Sequence, residues 1–296
     1  MSWVTWRQHR LEGAWSLAIG AALAAAVIFV AYQLHAASCG GQANSYCFSN
    51  ELGGTIAQGI VRLNLYQYGL VVLPALAGAF IGCPLVAREV ENGTHRLAWT
   101  QGVTRLRWLA VKLVLVFVPL LAVAAVAGAL EVVLINQLGT TPNHWAFFDQ
   151  QAPVVVAATL LALALGLAAG AVIGKSVPAM AVTLVAFVVV RVGLAEIARP
   201  MYIAPLSYKS VDLNTQTGAV YPSAWWLDDP SYYDNAGHCL GTVTFNGYRG
   251  QAAYFVQHFQ PGDRFWAFQS IESAILMILA AALIGFTIYW VTRRLS

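Results

Sequence analysis

Charge is scarce in this chain: Asp, Glu, Lys and Arg make up 10 % of its 296 residues, against about 25 % in a soluble domain. Apolar residues reach 59 %, above the roughly 45–50 % that a water-bounded fold carries, so an ordinary soluble enzyme is excluded. The net charge is only +3 and the cations form no groove-sized patch, which argues against a nucleic-acid binder. Four cysteines are present, none of them spaced CxxC, so a zinc or redox dithiol site lacks its ligands. The histidines, His9, His35, His95, His144, His238 and His258, never stand i, i+4, which removes helix-borne zinc or haem ligation. GxSxG, HExxH and paired intramembrane acids are also missing, and with them the usual hydrolase machinery. Gly170-Ala-Val-Ile-Gly174-Lys175-Ser176 has a superficial likeness to a phosphate loop. Only three residues separate its glycines where that motif has four, and Pro178 follows where a phosphate-capping helix would run. The chain therefore carries no ATP site of its own. Disorder is excluded by 13 Phe, 10 Trp and 12 Tyr.

What remains is lipid-length apolar sequence, with a mean hydropathy of +0.64. A bilayer core of about 30 Å takes roughly 20 apolar residues in helical form. Six stretches qualify: Ser16 to Leu34, Gly69 to Ala87, Leu109 to Ile135, Pro153 to Ile173, Val177 to Ile197, and Ile271 to Val291. Only Gly174 to Ser176 separate the fourth from the fifth, so those two form a tight helical hairpin. Six crossings put both termini on one side. Arg7, Arg10, Arg88, Arg96, Arg105, Arg107, Lys112, Lys175, Arg293 and Arg294 fall on that side, against Arg62, Arg199, Lys209, Arg249 and Arg264 on the other. The asymmetry predicts cytoplasmic termini and leaves residues 198–270 as a large external region, rich in aromatics at Tyr221 to Trp226, Tyr232-Tyr233 and Gln257 to Pro261. An ordered external layer and an interfacial aromatic belt are the two readings of that composition. The first apolar run also resembles a signal h-region before Ala36-Ala37-Ser38-Cys39, but 19 residues exceed the 7–15 of such a region. The sequon Asn92-Gly93-Thr94 falls on the inner side and is set aside.

Cys39 and Cys47 bracket a Gly-Gly turn on the outer side, where an oxidising environment permits a disulfide; the pair closes the shortest loop, while Cys239 leaves the pairing open. Cys83 lies within a span and reads as a small apolar residue. Charges inside spans are costly and mark functional candidates. Arg191 and Glu196 in the outer half of the fifth span, Glu131 near the outer end of the third and Glu272 at the start of the sixth lie at similar depth. They suggest an outer-leaflet cluster that neutralises Arg191, serving either helix packing or the passage of a substrate. Gly78 and Gly82, and Gly166, Gly170 and Gly174, are GxxxG steps that let helices approach closely. A subunit contact is one use of such steps, and in spans this rich in Gly and Ala the spacing also arises by chance.

The loop at 88–107 is the most informative segment. Asn92-Gly93 breaks the helix leaving the membrane, Thr94 caps a short new one that Gly102 ends, and Thr104 caps the helix entering the third span. The residues Arg88-Glu89-Val90-Glu91-Asn92-Gly93-Thr94, Leu97, Gly102-Val103-Thr104-Arg105 and Lys112 resemble the corresponding loop of permease subunits in the type-two family of ATP-binding-cassette exporters. The resemblance implies an all-α integral membrane fold of six transmembrane helices: one single permease domain over 1–296, with an amphipathic interfacial helix at 1–15 carrying Trp3, Trp6 and Trp15. It also implies reentrant helices in the external region. The short helix Thr94 to Gln101 would then be a coupling helix, with Glu89, Glu91, Gly93, Thr94, His95, Arg96, Leu97, Trp99 and Arg105 facing a partner. That partner is two copies of a soluble ABC ATPase, which bind the ATP and Mg; this chain binds no cofactor and is not itself an enzyme. A second permease copy, a homodimer in preference to a heterodimer, and the lipid bilayer of a bacterial plasma membrane complete the expected surroundings. Two other functions fit the composition: a non-transporting sensor or assembly module with an external ligand-binding region, and a membrane-embedded enzyme built on the Arg191 cluster.

Overall fold

The computed structural model describes residues 72–93, 104–137, 145–213, 220, 221, 223–242 and 252–294. The interfacial helix at 1–15, the first expected span, the pair Cys39 and Cys47, and the coupling helix at 94–101 lie outside the described residues. The described residues fall into two compact units, one within Met1–Pro142, Asp149–Val192 and Glu272–Ser296 and the other within Asn143–Phe148 and Gly193–Ile271.

Five helical stretches among the described residues are long and apolar enough to cross a membrane. We label them α1 (Val72–Glu91), α2 (Arg105–Gln137), α3 (Ala152–Ile173), α4 (Ser176–Val192) and α5 (Phe265–Arg293). They match the second to sixth expected spans. At its start α5 extends six residues ahead of the expected start at Ile271; α4 instead passes into a π turn at Gly193–Ala198 and a 3-10 turn at Arg199–Met201, where Pro200 ends the ladder. The fold is mostly helical.

In the first unit α3 is the central element. Two thirds (67 %) of its apolar window is buried, against 22 % for the windows of Arg105–Val132 and Ser176–Met201. Its sequence is apolar on every side, as a helix surrounded by other helices requires. α1 crosses it at contact distance. Pro84 lacks an N–H and would clash with the carbonyl one turn earlier; α1 answers with a π turn over Gly78–Gly82, closed by the Cys83 N–H donating to the Gly78 carbonyl at 2.9 Å. At this crossing the GxxxG steps meet each other. A Cβ on Gly166 would overlap the Gly78 carbonyl and approach the Cys83 nitrogen at 2.7 Å, and one on Gly78 would overlap the Ala162 carbonyl. These glycines thus serve a contact inside the chain. The α3–α4 hairpin closes on Gly174, whose φ of 65° is a left-handed conformation that a side chain would strain, and whose N–H donates to Gly170 O at 3.1 Å. A cluster of Leu85, Val86, Trp108, Leu109, Val116, Phe117, Leu163, Leu167 and Val291 ties α1, α2, α3 and the end of α5 together.

The second unit contains a five-stranded antiparallel sheet: β1 (Leu206–Ser210), β2 (Trp225–Trp226), β3 (Ser231–Tyr233), β4 (Cys239–Thr242) and β5 (Tyr254–Gln260). The order is β1-β5-β3-β4, with β2 also paired to β5. Strands therefore occupy a stretch where the family resemblance implies reentrant helices. The physical reason lies in period-2 alternation: Phe255, Gln257 and Phe259 point to the buried side of β5 while Tyr254, Val256 and His258 do not. Rings pack along that side, Trp226 on Phe259 at 5.0 Å and Tyr221 on Phe259 at 4.8 Å between centroids. Trp145 is enclosed by Phe148, Trp225, Phe265 and Phe268, all within 5.8 Å. The turn between β3 and β4 is pinned by Asp234, which accepts from the His238 backbone N–H at 2.8 Å and pairs with the His238 ring at 3.1 Å.

Two outcomes follow from this architecture. Gly166→Ala forces backbone apart at the α1–α3 crossing, at a cost of about 2–3 kcal/mol; Gly285→Ala, where nothing lies within 4 Å, should stay within about 0.5 kcal/mol. Unfolding in detergent distinguishes them, and equal stability of the two variants contradicts the tight crossing. The backbone donor and then the ring of His238 hold the Asp234 carboxyl below its ordinary value of 3.8. A depressed acid stabilises the folded state above its unfolded pKa, so the turn keeps this contribution above about pH 4 and loses it as pH falls through the folded value. The protection of the His238 amide, taken as its exchange rate relative to the intrinsic rate at each pH, should fall only in that acid range; a loss of protection near neutrality would be inconsistent with the Asp234 contact.

Candidate functional site: two ends of a charged bundle

At one end of the first unit the acidic pair Glu89 and Glu91 points inward, to other helices. Glu89 forms an ion pair with Lys112 and accepts a hydrogen bond from the Trp108 indole N–H at 3.1 Å. Trp108 and Lys112 stand i, i+4 on α2, so both meet α1 on one face. The Lys112 ammonium is buried, donates to the Leu85 carbonyl at 3.1 Å and lies 4.4 Å from the Trp108 ring centroid. Glu91 Oε2 accepts from both the backbone N–H (3.1 Å) and the hydroxyl (2.9 Å) of Ser176. It thereby caps the N-terminus of α4 from a different helix, using the positive end of the dipole. Arg105 Nη1 donates to the carbonyls of Thr292 (3.1 Å) and Val291 (3.4 Å), placing a cation on the C-terminus of α5. Thr104 accepts the Arg107 N–H at 3.4 Å, as an N-cap does.

The residues on either side of the 94–103 segment are thus stapled to the bundle: α1 to α2 and α4, α2 to α5. Gly93 ends α1 with φ 68° and with its N–H donating to Val90 O at 3.2 Å. Thr94, His95, Arg96, Leu97 and Trp99 lie outside the described residues. Arg88, Arg107, Lys175, Arg293 and Arg294, also at this end, are exposed.

At the opposite end Arg191 and Glu272 meet, with Nη1 2.7 Å from Oε1. Arg191 Nη2 also lies 2.6 Å from Asp149 Oδ1. Glu272 is fully buried and Arg191 nearly so. The other two members of the expected cluster are not in this ion pair. Glu196 is exposed, on the π turn beyond α4. Glu131 is buried on α2 and makes no ion pair among the described residues. Asp149 takes the second place beside Arg191. Sequence reading missed it because it precedes the hydropathy window that opens at Pro153; the available signal was an acid one turn ahead of a helix with Pro at its start. Trp108 and Ser176 were missed for a related reason, since an indole and a serine carry no charge to mark them. Among the described residues no three metal-ligating side chains converge.

Apolar helices of membrane-crossing length, with charges buried at both ends, define a multi-pass membrane protein. Residues 13–199 match the family model described as ABC-2 membrane transporter related. That range is more than half of the chain, and the protein belongs to this family. No curated protein and no solved structure matches it. The matched range stops before β1, so the sheet lies outside it.

Removing Arg191 should be costly. Arg191→Met strands the buried Glu272 carboxylate, with an expected loss of about 3–5 kcal/mol, whereas Arg191→Met combined with Glu272→Met should recover most of it. A double variant no more stable than the single one in detergent unfolding would dissolve the pair as a stabilising unit.

Proposed function

We propose that this chain is the membrane subunit of an ABC exporter, moving an amphipathic or apolar molecule outward with energy from a separate ATPase. The observation that carries the reading is the stapling of both stalks of the 94–103 segment to the bundle, in a chain whose family consists of ABC-2 transport permeases. Membrane components of that family generally pair with an ABC ATPase, and no phosphate-binding loop occurs in this sequence.

In this reading two copies of the ATPase hold ATP and Mg and grip the segment from Thr94 to Gln101 on the cytoplasmic side of a permease dimer. A force applied there has two rigid routes into the membrane. One runs through Gly93 into α1, and from Glu89 and Glu91 to α2 and α4. The other runs through Thr104 into α2, and from Arg105 to α5. Because Lys112 is buried, breaking its link to Glu89 leaves an unmatched charge. Sliding of α1 past α2 is therefore disfavoured, and the two helices move as a pair. Glu89, Glu91 and Arg105 act here as internal links, leaving His95, Arg96, Leu97 and Trp99 to make the partner contacts. The exposed cations at this end fit the cytoplasmic face of a bilayer.

The reading predicts that a soluble ABC ATPase co-purifies with the chain and that Glu91→Gln lowers transport at least about fivefold while ATP hydrolysis persists. Reconstituted vesicles with both subunits measure the two rates side by side. Transport unaffected by Glu91→Gln removes the proposed route, and failure of any ABC ATPase to associate removes the exporter assignment.

A further inference from the structure

The second half of α5 presents an ordered outward face. Ile278, Ala282, Gly285, Phe286, Tyr289 and Arg293 recur at helical spacing and fall within about 100° of one another around the axis, and all of them are exposed. Thr287 and Val291, on the other side of the helix, are buried. Tyr289 is 57 % and Phe286 43 % exposed, and a Cβ built on Gly285 meets nothing within 4 Å, so no described helix packs on this face. The order along the axis is apolar and small residues first, then two rings, a phenol hydroxyl and a cation. Phe286 also lies 5.8 Å from Trp290 between ring centroids. Arg293 stands one turn, about 6 Å, beyond Tyr289 and about 10 Å beyond Phe286, and Arg294 follows at the helix end.

Charge narrows what covers this face. Arg293 and Arg294 are exposed and meet no acid among the described residues. The acids described at this end, Glu89 and Glu91, are turned to Lys112 and Ser176. Arg105 is already seated on the last carbonyls of α5, so the two later arginines direct their charge outward. An exposed cation at the rim of an apolar helix attracts an anionic group, and in a membrane-spanning chain the body beneath that group is hydrocarbon. A phospholipid with a net negative head supplies both in the order the face presents them. Its phosphate falls at the level of Arg293, its ester carbonyl at the Tyr289 hydroxyl, and its acyl chain along Phe286, Gly285 and Ile278. A soluble anion leaves the rings and the apolar row uncovered, and an acidic protein surface reaches only the cations at the helix end.

We infer that this face of α5 seats an anionic phospholipid, with Arg293 and Arg294 selecting the head and Tyr289, Phe286 and Gly285 receiving the start of the acyl chain. The site depends on the membrane class of the chain and not on the exporter reading. The test uses the purified full chain in detergent micelles with phosphatidylglycerol and phosphatidylcholine of identical acyl chains, bound lipid being counted by native mass spectrometry. Phosphatidylglycerol should bind about tenfold or more tightly, each cation at a membrane surface contributing about fivefold. Arg293→Gln combined with Arg294→Gln should erase that preference. Lys175→Gln, which removes an exposed cation of the same end beside Glu91, should retain it. A second measurement needs no variant: phosphatidylglycerol carrying a diazirine on its acyl chain should label the wild-type chain within residues 278–290, read by peptide mass, and unlabelled phosphatidylglycerol but not glycerol phosphate should compete. Equal binding of the two lipids, a preference that survives in the double variant, or labelling spread evenly over the other exposed helices each overturns the inference. Displacement by glycerol phosphate assigns a free-anion site in its place. A wild type that binds both lipids alike, but whose double variant loses an associated ATPase, makes the two arginines a protein contact instead. None of these results decides the exporter reading, which ATP-driven transport tests separately.

Discussion

A cation carried into an apolar bundle must bring its counter-charge with it, and most of the first unit's organisation follows from that demand. Lys112 sits about two turns inside α2 and Arg191 near the end of α4, each too deep for water to solvate cheaply. The carboxylates that meet them come from other helices, Glu89 from α1 and Glu272 from α5. Each pair is therefore a cross-link between helices as well as a neutralisation. Between the two ends α1 and α3 are held by close contact. The α1–α3 crossing depends on glycines so closely opposed that a methyl group has no room, which compensates for the weak hydrophobic drive between helices in lipid.

The same demand divides the labour of the 88–107 segment. An exposed acidic pair beside a loop invites the idea of a docking surface, yet Glu89 and Glu91 both turn back into the chain, toward Lys112 and Ser176. Polar groups next to a low-dielectric bundle gain most where they can replace lost hydration with several donors. Glu91 finds two donors on one residue at a helix N-terminus, and Arg105 finds two carbonyls at a helix C-terminus. The ends of α1 and α2 that flank residues 94–103 are thereby fixed to the bundle, which is the feature on which the proposed function rests.

Much of this was legible in advance. The second to sixth spans appear within a few residues of where hydropathy places them, and Gly174 could be recognised as the hairpin turn because a lysine and a serine were all that remained between two lipid-length runs. Counting depth along the helices groups Arg191 with Glu131, Glu196 and Glu272, and of these three Glu272 is the one in an ion pair with it. Glu196 was misplaced by the same counting, because the π turn at Gly193–Ala198 changes the rotation per residue and carries its side chain to the surface. The sheet was harder to see. Its strands run from two to seven residues, too short for alternation to stand out from a generally aromatic stretch, although the segments singled out for their rings are those that became β2, β3 and β5.

Length and hydropathy determine the membrane class, the helix count along the described chain and the absence of a nucleotide loop, because lipid imposes a local rule on every 20-residue window. Which charge meets which, and whether a GxxxG step faces a neighbour in the same chain, depends on how helices distant in sequence come together. Glu89 and Lys112, Glu91 and Ser176, and Arg191 and Glu272 were decided only there, because a pairing energy belongs to two positions at once and no single window contains both.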